Sequence, residues 1–356
     1  MQLQHPNLSL HLTCQRLRPF KADEFKRCAN VIMKNFVRQD VKLSLFFFLL
    51  LFLAGRIGLF LHEFAGHALS WRLLGGRLAD FSLFVFGGGR VHYGWTPATL
   101  NLSTFSMLFA LLSGIAVELA VGIPLALLAV FSRATRATKA LFAATSSVLI
   151  VHSLFYLVIC TYYGSRDGAV LFTFLQGGTR QVFLALTFGL TIVGAFLVSY
   201  AFSPTVRSWV VGRSSKQRVV LIILGMFGAV LLHGTLTVSE QVIVKDKIYA
   251  EIKTAENVRL KEKELAEFVA KYTEEHGREP GQEHVAVVEN ELEEKYWQFP
   301  IEIPLAIAIV IAFVAGFFLS VRKDHGEASP VVWKDIGLLG CFSVPSVLLI
   351  LILNKL

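Results

Sequence analysis

The sequence predicts an all-α polytopic membrane protein, and three observations carry that prediction. Hydrophobic residues make up 54% of the 356-residue chain, and the mean hydropathy is +0.59, more apolar than a soluble domain of this length. The apolar residues gather into about seven runs, each near the roughly 20 residues a spanning helix needs. Basic residues fall between these runs, as membrane orientation requires.

The elements follow in chain order. Residues 1–42 form a basic N-terminal tail or an interfacial helix. Phe25, Cys28, Ala29, Ile32, Met33 and Phe36 recur at helical spacing with Lys26, Arg27 and Lys34 between them, a pattern that fits a helix lying on the membrane as well as a solvated tail. No cleavable signal peptide is expected, because the first apolar run begins only near Leu43.

Residues 43–237 read as the membrane core. The runs are Leu43 to Leu69, Phe105 to Phe131, Ala140 to Tyr163, Gln181 to Phe202 and Val219 to Leu236. Arg56 and Gly58 interrupt the first. Between the first two runs, Phe81 to Phe86 is strand-like, Gly87-Gly88-Gly89-Arg90 is a turn signal, and Val91 to Trp95 is a second strand. Together they predict a β-hairpin beside the membrane. Irregular backbone at that depth must be buried in protein or line a wet cavity.

Residues 238–299 change character. From Glu240 through Lys295 there are 15 acids against 9 bases. Lys261 to Phe268 is strongly helical by propensity, and Gly277-Arg278-Glu279-Pro280-Gly281 is a turn signal. A soluble helical hairpin is expected, and with it a docking part for a protein partner. Residues 300–356 supply the last two membrane helices, Ile303 to Leu319 and Ile336 to Leu353.

The formal net charge is +8. Because the bases lie between apolar runs, this points to the bilayer and not to nucleic acid. They crowd the N-terminal tail, Arg133/Arg136/Lys139, Arg207/Arg213/Lys217/Arg218 and Arg322/Lys323. With seven spans all four segments share one side, which the positive-inside rule makes cytoplasmic. The His62 end of the first helix and the 238–299 insertion then face outward. The four cysteines form no CxxC pair, so neither a disulfide framework nor a thiolate metal site is expected.

The chemistry concentrates in His62-Glu63-Phe64-Ala65-Gly66-His67. Two histidines and a glutamate at a helix end form a zinc signal. In the common HExxH form the histidines are four apart on one helix face, and the glutamate acts on the metal-polarised water. Here they are five apart, roughly 140° of rotation on a regular α-helix. One residue accommodated as a π-bulge returns them to one face, and Gly66 lies where the distortion is needed. The bland alternative is a pair of polar residues at the interface. Glu63 weighs against it, because ionisable groups in a membrane helix are expensive.

A third ligand is required, and Asp167 in Tyr162-Tyr163-Gly164-Ser165-Arg166-Asp167-Gly168 is the candidate. It ends the third run on the His62 side, and Gly164 and Gly168 allow the backbone to break there. An Asp-Gly dipeptide also serves as an ordinary surface turn. His152 and His233 read as packed histidines, and His276 and His284 as solvated ones.

From His62 to Trp95 the sequence resembles the site-2 protease family of intramembrane zinc metallopeptidases. The resemblance rests on Gly66-His67-Ala68-Leu69, Arg72-Leu73-Leu74-Gly75-Gly76, Phe81-Ser82-Leu83 and Gly87 to Gly89, and on a later Asp167-Gly168. It covers roughly Leu43 to Leu175. It implies zinc held by His62, His67 and Asp167, with Glu63 as general base.

The sequence departs from the family in three places. The histidine spacing has one extra residue, a form that is similar to the HExxGH zinc helix of the dipeptidyl peptidase III family. No Asn-Pro precedes Asp167-Gly168. Where the family has Gly-Pro-x-x-Asn, this chain has Gly114-Ile115-Ala116-Val117-Glu118. Glu118 is thus an extra candidate: a ligand, a proton carrier, or the partner of Arg56 or Arg166 in an intramembrane salt bridge. Family members usually open their site toward the cytosol, whereas the charge distribution places this one outward.

Three functions follow as expectations. One is an intramembrane zinc metallopeptidase cleaving a membrane-embedded protein substrate. Another is a zinc-dependent hydrolase or transferase acting on a lipid or lipid-linked substrate. The third is a non-catalytic scaffold of the same fold.

Overall fold

The computed structural model describes residues 22–94, 96–99, 101–164, 166–210, 215–243, 256–296, 300–320 and 331–354. Helix α1 (Ala22–Phe60) passes without a break into a π-helical segment (Leu61–Ala68) and then α2 (Leu69–Leu73). A hairpin follows, β1 (Arg77–Leu83) and β2 (Gly89–Gly94). Next come α3 (Thr104–Phe131) and α4 (Arg136–Ser147), which continues through a second π-helical segment (Val148–His152) into α5 (Ser153–Tyr163). A 3-10 turn (Arg166–Gly168) and α6 (Ala169–Phe174) lead to α7 (Gly178–Ser208) and α8 (Ser215–Ile243). The chain ends with α9 (Glu256–His276), α10 (Gln282–Tyr296), α11 (Glu302–Leu319) and α12 (Trp333–Leu353).

The protein is an all-α multi-pass membrane protein. Among the described residues, seven helices are long and apolar enough to cross a membrane. They coincide with the seven expected runs. Helix α7 illustrates why they suit lipid. Val182, Leu186, Leu190, Val193 and Leu197 make one stripe at helical spacing, each more than half exposed. On the opposite face Thr187, Thr191, Ala195, Ser199 and Ser203 are buried. Between helices in lipid, small residues let backbones approach and hydroxyls bond across. Ser199 donates to Phe313 O at 2.6 Å, and a Cβ on Gly316 of α11 would stand 2.5 Å from Phe196 O.

Residues 22–42 continue the first span as one helix. The tail or interfacial reading of residues 1–42 falls partly on residues 1–21, which lie outside the described residues. Helices α9 and α10 form the expected acidic hairpin, joined at Gly277 with a left-handed φ of 65°. His276 and His284 are exposed there, and both rings approach Tyr272.

The β-hairpin is present with a shifted first strand. β1 covers Arg77–Leu83, pairs antiparallel with β2 from Arg77↔Gly94 to Leu83↔Gly89, and has an irregularity between Leu78 and Asp80. Phe84 to Phe86, expected within the strand, belong instead to the loop. Helices take the backbone groups that a strand would offer to a neighbour. Arg56 donates to Phe84 O at 2.5 Å and also to Gly87 O. Glu240 accepts from the amides of Val85, Phe86 and Gly87 at 2.6, 2.8 and 3.2 Å. Thr237 donates to Phe86 O at 3.3 Å. The loop thus satisfies the rule that buried irregular backbone must be paired by protein.

Alternate crossings bring the ends of α1, α5, α8 and α12 together. His62 meets Asp167, Glu240 meets the hairpin loop, and Asn354 brackets Leu83, accepting from its amide at 2.8 Å and donating to its carbonyl at 2.6 Å.

Candidate metal centre

The π-helical segment Leu61–Ala68 contains the whole histidine motif. Hydrogen bonds to i+5 widen the turn, so residues five apart lie over one another. The His62 and His67 ring centroids are 4.7 Å apart at 79°. Both residues are buried, as is Glu63. The distortion expected at Ala65-Gly66 is present and extends over the full segment.

Packing explains why glycine stands at position 66. A Cβ there would lie 2.4 Å from Gly114 Cα and 2.6 Å from Gly114 N. A Cβ on Gly114 would in turn meet His62 Nε2 and His67 Nε2 at 2.8 Å each. Two glycines therefore press α3 against the face of the motif. Gly168 does the same for the third side chain: a Cβ on it would lie 2.2 Å from the Cys160 carbonyl carbon, so the 3-10 turn rests directly on α5.

Asp167 reaches both rings. Its Oδ2 is 3.0 Å from His62 Nε2 and 3.1 Å from His67 Nε2, and the two Nε2 atoms are 3.0 Å apart.

The outer nitrogens are also engaged. His67 Nδ1 is 2.9 Å from Ala110 O. A carbonyl only accepts, so this nitrogen carries the hydrogen. His62 Nδ1 is 3.2 Å from Glu118 Oε2, which also accepts from Ser153 Oγ at 2.6 Å. In neutral rings both Nε2 atoms then present lone pairs. Two ring nitrogens and one carboxylate oxygen converge, a donor set that suits a cation. His62, His67 and Asp167 form a group able to hold a metal ion. Edges of 3.0–3.1 Å are close to the roughly 3.3 Å between ligand atoms in a tetrahedral site with 2.0–2.1 Å bonds.

Glu63 lies at the side of this triangle. Its Oε2 accepts from the Val91 amide of β2 at 3.2 Å, and it is within electrostatic reach of His62, His67 and Asp167. Glu118 stands behind His62 as its hydrogen-bond partner and is 2% exposed. Arg56 is spent on the hairpin loop. The Arg166 side chain lies outside the described residues.

Nothing in the residue spacing marked Ala110, whose carbonyl holds His67 Nδ1, or Ser153, which holds Glu118 behind His62. Ser153 begins α5 directly after the second π-helical segment, and no sequence pattern marks it. Tyr156 places its ring edge-on to His62 at 5.7 Å and stacks on His152 at 5.8 Å. His152, expected as a packed histidine, is instead solvent-accessible. His233 lies 6.4 Å from the rings of Phe48 and Phe86.

Compared with protein-family models, curated proteins and solved structures, the chain matches none of them.

Proposed function

We propose that this protein is an intramembrane zinc metallopeptidase that hydrolyses a peptide bond of a membrane-embedded substrate. His62, His67 and Asp167 would hold the zinc. The observation that carries the proposal is the convergence of three lone-pair atoms on one point while both outer ring nitrogens are occupied. Histidine ligands to metals have this second hydrogen bond almost always, because it fixes the tautomer and the ring direction. The donor set of two imidazoles and one carboxylate suits a hydrolytic zinc site with an open position. The likeness of the motifs to site-2 proteases supports the peptidase reading in particular.

Bound zinc would supply a Lewis acid that makes water acidic near neutral pH. The chain's own residues do the rest. Glu63, anchored through one oxygen to the Val91 amide, has its other oxygen to take a proton from the attacking water and return it to the leaving amine. Glu118 and Ser153 hold His62 in place. Tyr156 and Tyr93 stand edge-on beside the His62 and His67 rings.

For orientation we take the positive-inside assignment: N-terminus cytoplasmic, metal site and the 238–299 insertion outward.

The test is Glu63→Gln in purified protein. It is expected to keep stoichiometric zinc by elemental analysis and to lose peptide cleavage by about 10²-fold or more. Unchanged cleavage would sink the assignment of Glu63. Wild-type protein that turns over lipid but no peptide would replace the substrate with a lipid or lipid-linked one. Protein without zinc would favour a non-catalytic scaffold.

A further inference from the structure

We infer that Glu240 is a positioning residue for Glu63, acting through the β1–β2 hairpin; the role given to Glu63 rests on the function proposed above. Glu240 lies in the last turn of α8, at the start of the acidic 238–299 segment. One carboxylate there collects three consecutive amides, Val85, Phe86 and Gly87. The Arg56 guanidinium binds the loop's Phe84 and Gly87 carbonyls. The loop is therefore held between two opposite charges from two different helices, with its amides turned to the anion and its carbonyls to the cation. Successive amides aimed at one carboxylate form a nest, which binds an anion tightly and fixes the backbone that makes it.

That backbone leads directly to the site. Phe84 N donates to Gly88 O at 3.0 Å, Leu83 pairs with Gly89, and Phe81 pairs with Val91. Val91, buried at 2% exposure, donates to Glu63 Oε2. Glu240 thus sets where the loop stands, the loop sets the register of β2, and β2 presents the amide that fixes the Glu63 carboxylate. Among the described residues, Val91 N is the only hydrogen-bond donor found on Glu63.

The experiment is amide hydrogen exchange on the full-length protein, comparing wild type with Glu240→Ala. Exchange is expected to rise about tenfold or more, as loss of a charged acceptor implies, in peptides covering residues 84–88 and also in those covering 89–94. Zinc content is expected to be unchanged. A rise confined to residues 84–88 overturns the proposal, since the loop would then loosen without moving β2. If Glu240→Ala does not fold, Glu240→Gln replaces it; this variant keeps the shape and one acceptor, and the same two regions must respond together. Turnover separates this inference from the function it rests on. If Glu63→Gln leaves cleavage intact, Glu63 is not the base. The exchange result still decides whether Glu240 holds β2.

Discussion

Gly66 and Gly114 are packed backbone to backbone, and a Cβ on the first would come within 2.4 Å of the Cα of the second. This contact brings α3 against the π-helical turn that carries His62 and His67. Since neither neighbour is a flexible side chain, the contact cannot be relieved by a rotamer change.

Gly66→Ala is therefore expected to destabilise the protein by about 1–3 kcal/mol from overpacking and to lower its zinc content. Gly55→Ala in the same helix is the comparison, because nothing lies within 4 Å of its Cβ position. That variant should be neutral or gain up to about 1 kcal/mol from helix propensity. Thermal unfolding in detergent reads both. Equal melting temperatures for the two variants would contradict the close approach.

Glu118 occupies the position behind His62, and Ser153 holds its carboxylate. Removing such an outer partner typically costs about 10–100-fold in metal affinity. Glu118→Ala is expected to fall in that range when zinc is titrated against a competing chelator. Glu118→Gln, which keeps an acceptor oxygen, should lose less. An affinity unchanged in Glu118→Ala would mean that His62 needs no help to face the metal.

These relationships differ in how far the sequence disclosed them. The π-helical turn was legible because histidines five apart can share a face only if the helix widens, and glycine at 66 permitted it. Asp167 was singled out by chemistry, since two histidines called for a third ligand and an Asp-Gly ended a later span; its carboxylate does lie against both rings. Phe84 to Phe86 misled, because their alternation and aromatic character suit a strand. Arg56 and Glu240 compete for the backbone groups there, and they are 28 and more than 150 residues away. A single sequence carries no periodicity that links such distant groups. Ser153 was hidden for the same reason: its partner is 35 residues away on another helix.

The C-terminal end of α12 closes the outer edge of the hairpin. Asn354 engages both the amide and the carbonyl of Leu83, which would otherwise be exposed edge groups. Leu83 is 2% exposed, so water cannot replace the lost partner. Asn354→Ala is expected to cost about 1–3 kcal/mol for each group left unpaired, seen as a lower midpoint of thermal unfolding. Asn354→Asp keeps the acceptor but loses the donor to Leu83 O, and should fall between the two. A midpoint for Asn354→Ala equal to wild type would show that the bracket contributes nothing.

Orientation follows from charge and can be tested without a substrate. Counting seven spans along the sequence puts the four basic segments on the side opposite His62, and each Lys or Arg favours the cytoplasmic side. The acidic helical pair carries the opposite sign and follows the fifth span, which by the same count puts it on the His62 side. Glu275 in α9 has a side chain 54% exposed, which makes it a suitable reporter. Glu275→Cys is expected to react with a membrane-impermeant maleimide in intact cells. Native Cys14 and Cys28, in the basic tail, should react with that reagent only after the membrane is opened. Labelling of Cys14 and Cys28 in intact cells, with protection of the new cysteine, would place the metal site on the cytoplasmic side. The basic clusters would then have been overridden by Arg72, Arg77 and Arg90, which flank the first span at the site end. Because the crossings alternate, one labelled position fixes the side of every loop, including the one that carries Asp167.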